Sequence, residues 1–271
     1  PVKAMKAPIA APSPWDIAFG VALTSDYVLR GVSQSNHKPA VQGYFELQYT
    51  ATDWLKLYTG VWGSSLWTGF ANAEFDVTAG ARFTFGNFGL DVGYIYYYYP
   101  GGVNFASVPP LANGSYPEVY VKPSYKFNDW LTVGGIFETG FGTFNNKTVF
   151  PGPWVGSADH TYYAVNAVIT LPVPLPYGIT VSLNPEIGRE VYSSGVTTNM
   201  GFVSDTYWDV GLDFVYKAMT LDLRYWGTNA KPNAVAPNQC NTALGSGGSS
   251  NLCGDRFVAT LKFDTSLAAL K

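Results

Sequence analysis

Ala73-Glu74-Phe75-Asp76-Val77-Thr78-Ala79-Gly80-Ala81-Arg82-Phe83-Thr84-Phe85, then Gly86-Asn87, then Phe88-Gly89-Leu90-Asp91-Val92-Gly93-Tyr94-Ile95-Tyr96, is the stretch that decides the fold. Successive side chains on a strand point to opposite faces. One face of the first run carries Phe75, Val77, Ala79, Ala81, Phe83 and Phe85. The other carries Glu74, Asp76, Thr78, Gly80, Arg82 and Thr84. Gly86-Asn87 supplies tight-turn chemistry between the runs. The two runs make one hairpin, polar on one side and apolar on the other, and the fold depends on what the apolar side touches.

Composition narrows the choice. Of 271 residues, only 13% are charged and 16% are aromatic, whereas an ordinary soluble domain is about 25% charged. A net charge of −3 without a basic run points away from nucleic acid. No apolar stretch approaches the roughly 18 residues of a membrane helix. Two architectures remain: a soluble β protein poor in charge, or a membrane barrel whose strands are about ten alternating residues each.

Outward from the hairpin, strand candidates fall at 15–30, 40–51, 54–64, 73–85, 88–99, 117–127, 130–142, 160–171, 177–190, 205–217, 219–228 and 255–264. Their connections alternate. Short ones are Thr52-Asp53, Gly86-Asn87, Asn128-Asp129, Pro172 to Pro176 and Ala218. Long ones are 31–39, 65–72, 100–116, 143–159, 191–204 and 229–254. Outer-membrane barrels sort their loops this way, short in the periplasm and long outside, with an even strand number. A soluble sandwich has no reason to. The expected fold is therefore all-β: a transmembrane antiparallel up-and-down β-barrel of about twelve strands over 15–264. A flexible periplasmic segment, 1–14, precedes it and a tail, 265–271, follows. The start Pro1-Val2-Lys3 carries no apolar export segment, and the expectation is that one was removed upstream. Thr52-Asp53-Trp54-Leu55 and Asn128-Asp129-Trp130-Leu131 each place Trp beside a short turn, at the periplasmic interface if both rings lie just outside the ladder. Tyr94, Tyr96 and Tyr98 belong to the opposite belt. Plain β propensity is the competing account of these aromatics.

Registering each strand by its apolar face sends Asp16, Asp26, Glu46, Glu74, Asp76, Asp91, Glu118, Glu138, Glu186, Glu190, Asp209, Asp213, Asp222 and Asp264 inward. No acid falls outward; Asp53, Asp129, Asp159, Asp205 and Asp255 fall in turns or loops. The inner bases are Arg30, Lys56, Arg82, Lys122, Lys126, Arg224, Arg256 and Lys262. Arg189 alone turns outward, near a rim, where the cost is ~0–1 kcal/mol against ~2–4 at mid-bilayer. The candidate pore lining is Asp26, Arg30, Glu46, Lys56, Glu74, Asp76, Arg82, Asp91, Glu118, Lys122, Glu138, Glu186, Asp209, Asp213, Asp222, Arg224 and Arg256. Twelve strands about 4.8 Å apart and tilted ~40° make a barrel ~24 Å across at the backbone, so the bore is narrow. An acidic wall concentrates cations. The competing reading pairs the inner charges into a network with no throughway.

The run Ala22-Leu23-Thr24-Ser25-Asp26-Tyr27-Val28-Leu29-Arg30-Gly31-Val32-Ser33-Gln34-Ser35, followed by Pro39-Ala40-Val41-Gln42-Gly43, resembles the TorF porin family of proteobacteria. The family signature is T-S-D-Y-x-x-R-G-x-S-Q-S with P-A-x-Q-G after it. The resemblance covers residues 22–43 closely and the remainder in barrel character and length. It implies an outer-membrane location and a pore. Read from its residues, the run is strand one entering the first outer loop, with Asp26, Val28 and Arg30 inward and an Asp26–Arg30 pair bracing that loop. A folding role is the alternative: Gly31 and Gly43 for bends, Gln34 and Gln42 for backbone hydrogen bonds.

Cys240 and Cys253, an even, close pair in one loop, fit a disulfide made in an oxidising compartment. No Cys/His spacing suits a metal, and no cofactor is expected. Ser33, Ser35 and His37 are near enough in sequence for a lipase-type site, with no further support. Expected partners are outer-membrane lipid, lipopolysaccharide included, and small polar solutes. The favoured function is a passive channel with mild cation preference. A non-conducting structural or adhesive barrel is second, and an outer-membrane phospholipase third.

Overall fold

The computed structural model describes residues 13–67, 71–100, 115–140, 160–193, 202–232, 238–241 and 251–270. Twelve strands close into one antiparallel barrel: β1 (Trp15–Thr24), β4 (Ala40–Thr52), β5 (Leu55–Ser65), β6 (Ala73–Phe85), β7 (Phe88–Tyr98), β8 (Tyr116–Lys126), β9 (Leu131–Gly140), β10 (His160–Leu171), β11 (Thr180–Tyr192), β12 (Asp205–Tyr216), β13 (Met219–Thr228) and β14 (Arg256–Ser266). A short hairpin, β2 (Val28–Leu29) and β3 (Val32–Ser33), lies between β1 and β4. β1 pairs with both β4 and β14, so the barrel has no open edge.

The opening stretch folds as its alternation requires. Phe75 and Val77 are 42% and 45% exposed, while Glu74 before them is 0% exposed and Asp76 between them is buried. Leu57, Val61, Val92, Tyr94, Val121, Phe137, Val165, Ile187, Leu223 and Leu261 are exposed in the same sense. Buried apolar residues form small clusters inside the barrel. A closed barrel satisfies every ladder hydrogen bond internally, and an apolar outer wall suits hydrocarbon rather than water. With its turns short at one end and long at the other, the barrel spans the bacterial outer membrane. Trp54 and Trp130 lie just outside the ladder, and Trp54 stacks on Phe83 and Phe85 at 6.2 and 5.8 Å. Arg189 is exposed on the outside, donating to Thr206 Oγ1 at 3.1 Å.

Some boundaries differ from expectation. Strand one ends at Thr24, not residue 30, because the chain bends at Ser25-Asp26 and turns into the bore. β11 starts at Thr180 after a 3-10 turn, Pro176–Gly178, in which Tyr177 has φ +64; neither Pro176 nor that φ fits a ladder. Asp205, expected in a loop, opens β12 opposite Glu190 and is buried. Residues 141–142, Asp159 and the segment 1–12 lie outside the described residues.

Candidate functional site

Residues 25–39 form a plug. The turn of its hairpin is Arg30-Gly31, with φ +49 and +81, the geometry of a two-residue hairpin turn with both central residues left-handed. Glycine accepts that conformation, whereas a residue with a Cβ adopts it seldom. Arg30 is held there by what it reaches. Its Nη2 donates to Glu118 Oε2 at 2.9 Å and Glu138 Oε2 at 2.5 Å. Its Nη1 donates to Glu190 Oε1 at 2.9 Å and Glu118 Oε1 at 3.1 Å. Its Cζ lies 4.2 Å from the centre of the Tyr162 ring. These four partners sit on β8, β9, β10 and β11, four consecutive strands.

Asp26 and Arg30 thus belong to the plug, not to the wall, and the expected pair between them does not form. The turn throws Arg30 across the bore, while Asp26 ties the base of the plug. Asp26 Oδ1 accepts from Ser33 Oγ at 2.6 Å and Ser35 Oγ at 2.7 Å, and its Oδ2 accepts from Arg256 at 3.2 Å. Tyr27 donates its hydroxyl to Glu74 at 3.3 Å and its N–H to Ser35 Oγ at 2.8 Å. Gln34 donates to the Val32 carbonyl at 3.2 Å, but Gln42 reaches a side chain, Ser64, and Gly43 lies within β4 rather than at a bend. The hydroxyls of Ser33 and Ser35 are spent on Asp26, and His37 Nε2 faces the Asn251 carbonyl at 2.6 Å, so no Ser–His relay is assembled.

The disulfide Cys240–Cys253 forms as expected and covers the plug. Val32 packs with Ala230, Cys240, Leu252 and Cys253. Ser33 N–H donates to the Leu252 carbonyl at 2.8 Å, and Arg256 donates to the same carbonyl at 2.7 Å.

The bore divides into two zones. Toward the long loops, its inner residues are buried: Glu74, Asp76, Glu118, Glu138, His160, Glu190, Asp205, Tyr97, Tyr99, Tyr162 and Tyr207. Toward the short turns, Lys56, Arg82, Asp91, Lys122, Glu186, Asp213, Arg224 and Lys262 are partly open, a vestibule facing the periplasm. The boundary is a row of directly opposed inner residues, Tyr58-Gly80-Gly93-Tyr120-Glu138-Tyr162-Glu190-Asp205, running from β5 to β12. Tyr58 and Tyr120 lean over Gly80 and Gly93, where a Cβ would collide with their hydroxyls. Their hydroxyls touch, and Tyr58 donates to Asp91. Tyr162 and Tyr207 pair in the same way, with Tyr207 donating to Glu186 over Gly188.

Charge is unevenly spread around the vestibule. On the β4–β9 side, Arg82 forks onto Glu46 at 2.6 and 2.7 Å and reaches Asp91 at 3.1 Å, and Lys122 meets Glu138 at 2.8 Å. Lys56 sits opposite Arg82, so this side is balanced. On the other side stand Glu186, Asp209, Asp213 and Asp222, with Arg224 and Lys262 as counter-charges. Asp213 and Asp222 face each other directly, and Asp209 Oδ2, Asp213 Oδ1 and Asp222 Oδ1 are buried without a hydrogen-bond partner. The sequence reading missed the four tyrosines and Asp205. Tyr58, Tyr120 and Tyr207 could have been found from inner-face Tyr set against inner-face Gly on the next strand, whereas Tyr162 faces Glu138 and Glu190.

A family model described as a bacterial protein of unknown function (Gcw_chp) matches residues 9–250. No curated protein matches the chain in sequence. Among solved structures, a chain from a study of in-meso crystallisation of membrane proteins superposes with TM-score 0.52 at 11% identity, over 94% of this chain and 84% of that one. The NanC porin superposes with TM-score 0.50 at 9% identity, over 92% and 98%. An outer membrane channel from Pseudomonas putida F1 gives 0.49 at 12% identity, over 95% and 97%. At such identities the likeness is one of fold.

Proposed function

The chain belongs to the bacterial family Gcw_chp, and on that footing we propose that it is an outer-membrane channel for small polar solutes, cation-preferring and closed at rest by its own plug. The observation that carries this reading is the one-sided vestibule: its β11–β14 wall holds four acids, Glu186 and Asp213 half-exposed and Asp209 and Asp222 buried behind them, against the two bases Arg224 and Lys262. A fixed negative excess beside a narrow aqueous space raises the local cation concentration. The likeness of residues 22–43 to TorF porins supports the same reading. The packed plug favours a second one, a barrel that never conducts.

Planar-bilayer recording under a potassium chloride gradient separates the two. The expected result is sparse openings whose reversal potential lies toward the cation limit. An anion-side reversal potential, or silence both in the native protein and after the plug is displaced, goes against the channel.

A further inference from the structure

We infer that the socket around Arg30 is a recognition site for a guanidinium-bearing solute, occupied by the plug's own arginine while the channel rests. The inference names a solute for the channel proposed above and rests on that reading.

The socket is built for a planar, forked cation. Glu118 takes Nη1 and Nη2 together, at 3.1 and 2.9 Å, in the parallel arrangement that matches guanidinium to carboxylate. Glu138 and Glu190 take the outer edges at 2.5 and 2.9 Å, and Tyr162 offers its ring face at 4.2 Å. An ammonium is a compact point charge that spans neither the fork nor the ring. A strap needs one ion pair to hold a loop; gathering three carboxylates from three strands around one cation, with Glu118 0% exposed, exceeds that need.

Two of the three carboxylates are also held independently of Arg30. Glu118 is engaged by His160 Nε2 and by the Tyr97 hydroxyl at 3.1 Å. Glu138 is held by Lys122, whose side chain is 39% exposed in the vestibule. Glu118 and Glu138 therefore keep their places when Arg30 withdraws, and Lys122 links the socket to the vestibule. Arg30 itself sits at φ +49, a conformation that favours withdrawal once a free guanidinium takes its place.

The test is calorimetric titration of the full-length barrel in detergent with methylguanidinium, with methylammonium and sodium chloride as comparators. In Arg30→Ala, methylguanidinium is expected to bind at least about tenfold more tightly than methylammonium. The native protein, where the solute must displace Arg30, is expected to bind methylguanidinium more weakly than Arg30→Ala does while keeping the preference over methylammonium, and adding Glu118→Gln to Arg30→Ala is expected to abolish the preference. Arg30→Lys retains a cation for assembly if Arg30→Ala fails to fold, and it too is expected to prefer methylguanidinium. Equal affinity for the two probes, or no binding to a folded variant, overturns the inference. Methylguanidinium binding without current in bilayers sinks the channel reading while the guanidinium site stands.

Discussion

Gly31 is the residue on which the plug turns. Its φ of +81 lies where a side chain is strained, and a Cβ there would stand 2.7 Å from Tyr207 Cβ and 3.1 Å from Thr228 Cβ. Backbone and space therefore act in the same direction, at ~1–2 kcal/mol for the backbone alone. Gly31→Val is expected to lift the hairpin from its seat and raise open probability in bilayer recordings. The urea midpoint of the barrel should fall too, because Glu118, Glu138 and Glu190 lose their shared counter-charge, although the barrel ladder itself is untouched. An unchanged record would mean that the plug does not block the bore. Gly31 was legible as a bend in the sequence. The destination of Arg30 was not, because alternation fixes which face a residue takes only while the strand continues, and this strand stops at Thr24.

At the scale of the strand, alternation carried its full weight. Phe75 and Val77 look outward and Glu74 and Asp76 inward, and the same holds around the wall. The energy is set by depth. Val77→Arg, well inside β6, is expected to lower unfolding free energy by about 2–4 kcal/mol in liposome-refolded protein. Arg189→Leu, at the outer end of β11, is expected to change it by less than about 0.5 kcal/mol. Denaturant titration of the two variants side by side tests the depth rule directly, and equal effects would contradict it. Asp205 shows where strand reading fails: it shares the parity of inward Asp209 and Asp213, but only its pairing with Glu190 shows that the ladder already includes it.

At the scale of the molecule, the plug is a long-range assembly. It joins the 25–39 segment to β8, β9 and β11 through Arg30, to β6 through Tyr27, and to residues 251–256 through Ser33, His37 and Asp26. The disulfide ties that last contact surface to residue 240, its two ends 13 positions apart in sequence. Closing such a loop is worth about 3 kcal/mol in the chain-entropy model. Cys240→Ser with Cys253→Ser is accordingly expected to leave the barrel folded but to increase channel openings and to speed amide exchange at Ser33. Exchange and current matching the native protein would remove the disulfide from any part in closing the bore.

By itself, the sequence determined the barrel, its strand number, which face meets lipid and which face carries charge, and the Cys240–Cys253 bond. Each of these follows from a period of two, from loop lengths, or from residues close along the chain, so neighbours in sequence carry the information. Only the tertiary structure decided that Asp26 and Arg30 part company, that three glutamates and a tyrosine from four strands converge on one guanidinium, and that the bore is filled toward its long loops and partly open toward its short turns. Those facts depend on a segment leaving the wall and meeting residues some 90 to 160 positions away. Periodicity carries no record of such encounters, which are fixed by shape and charge once the barrel has closed.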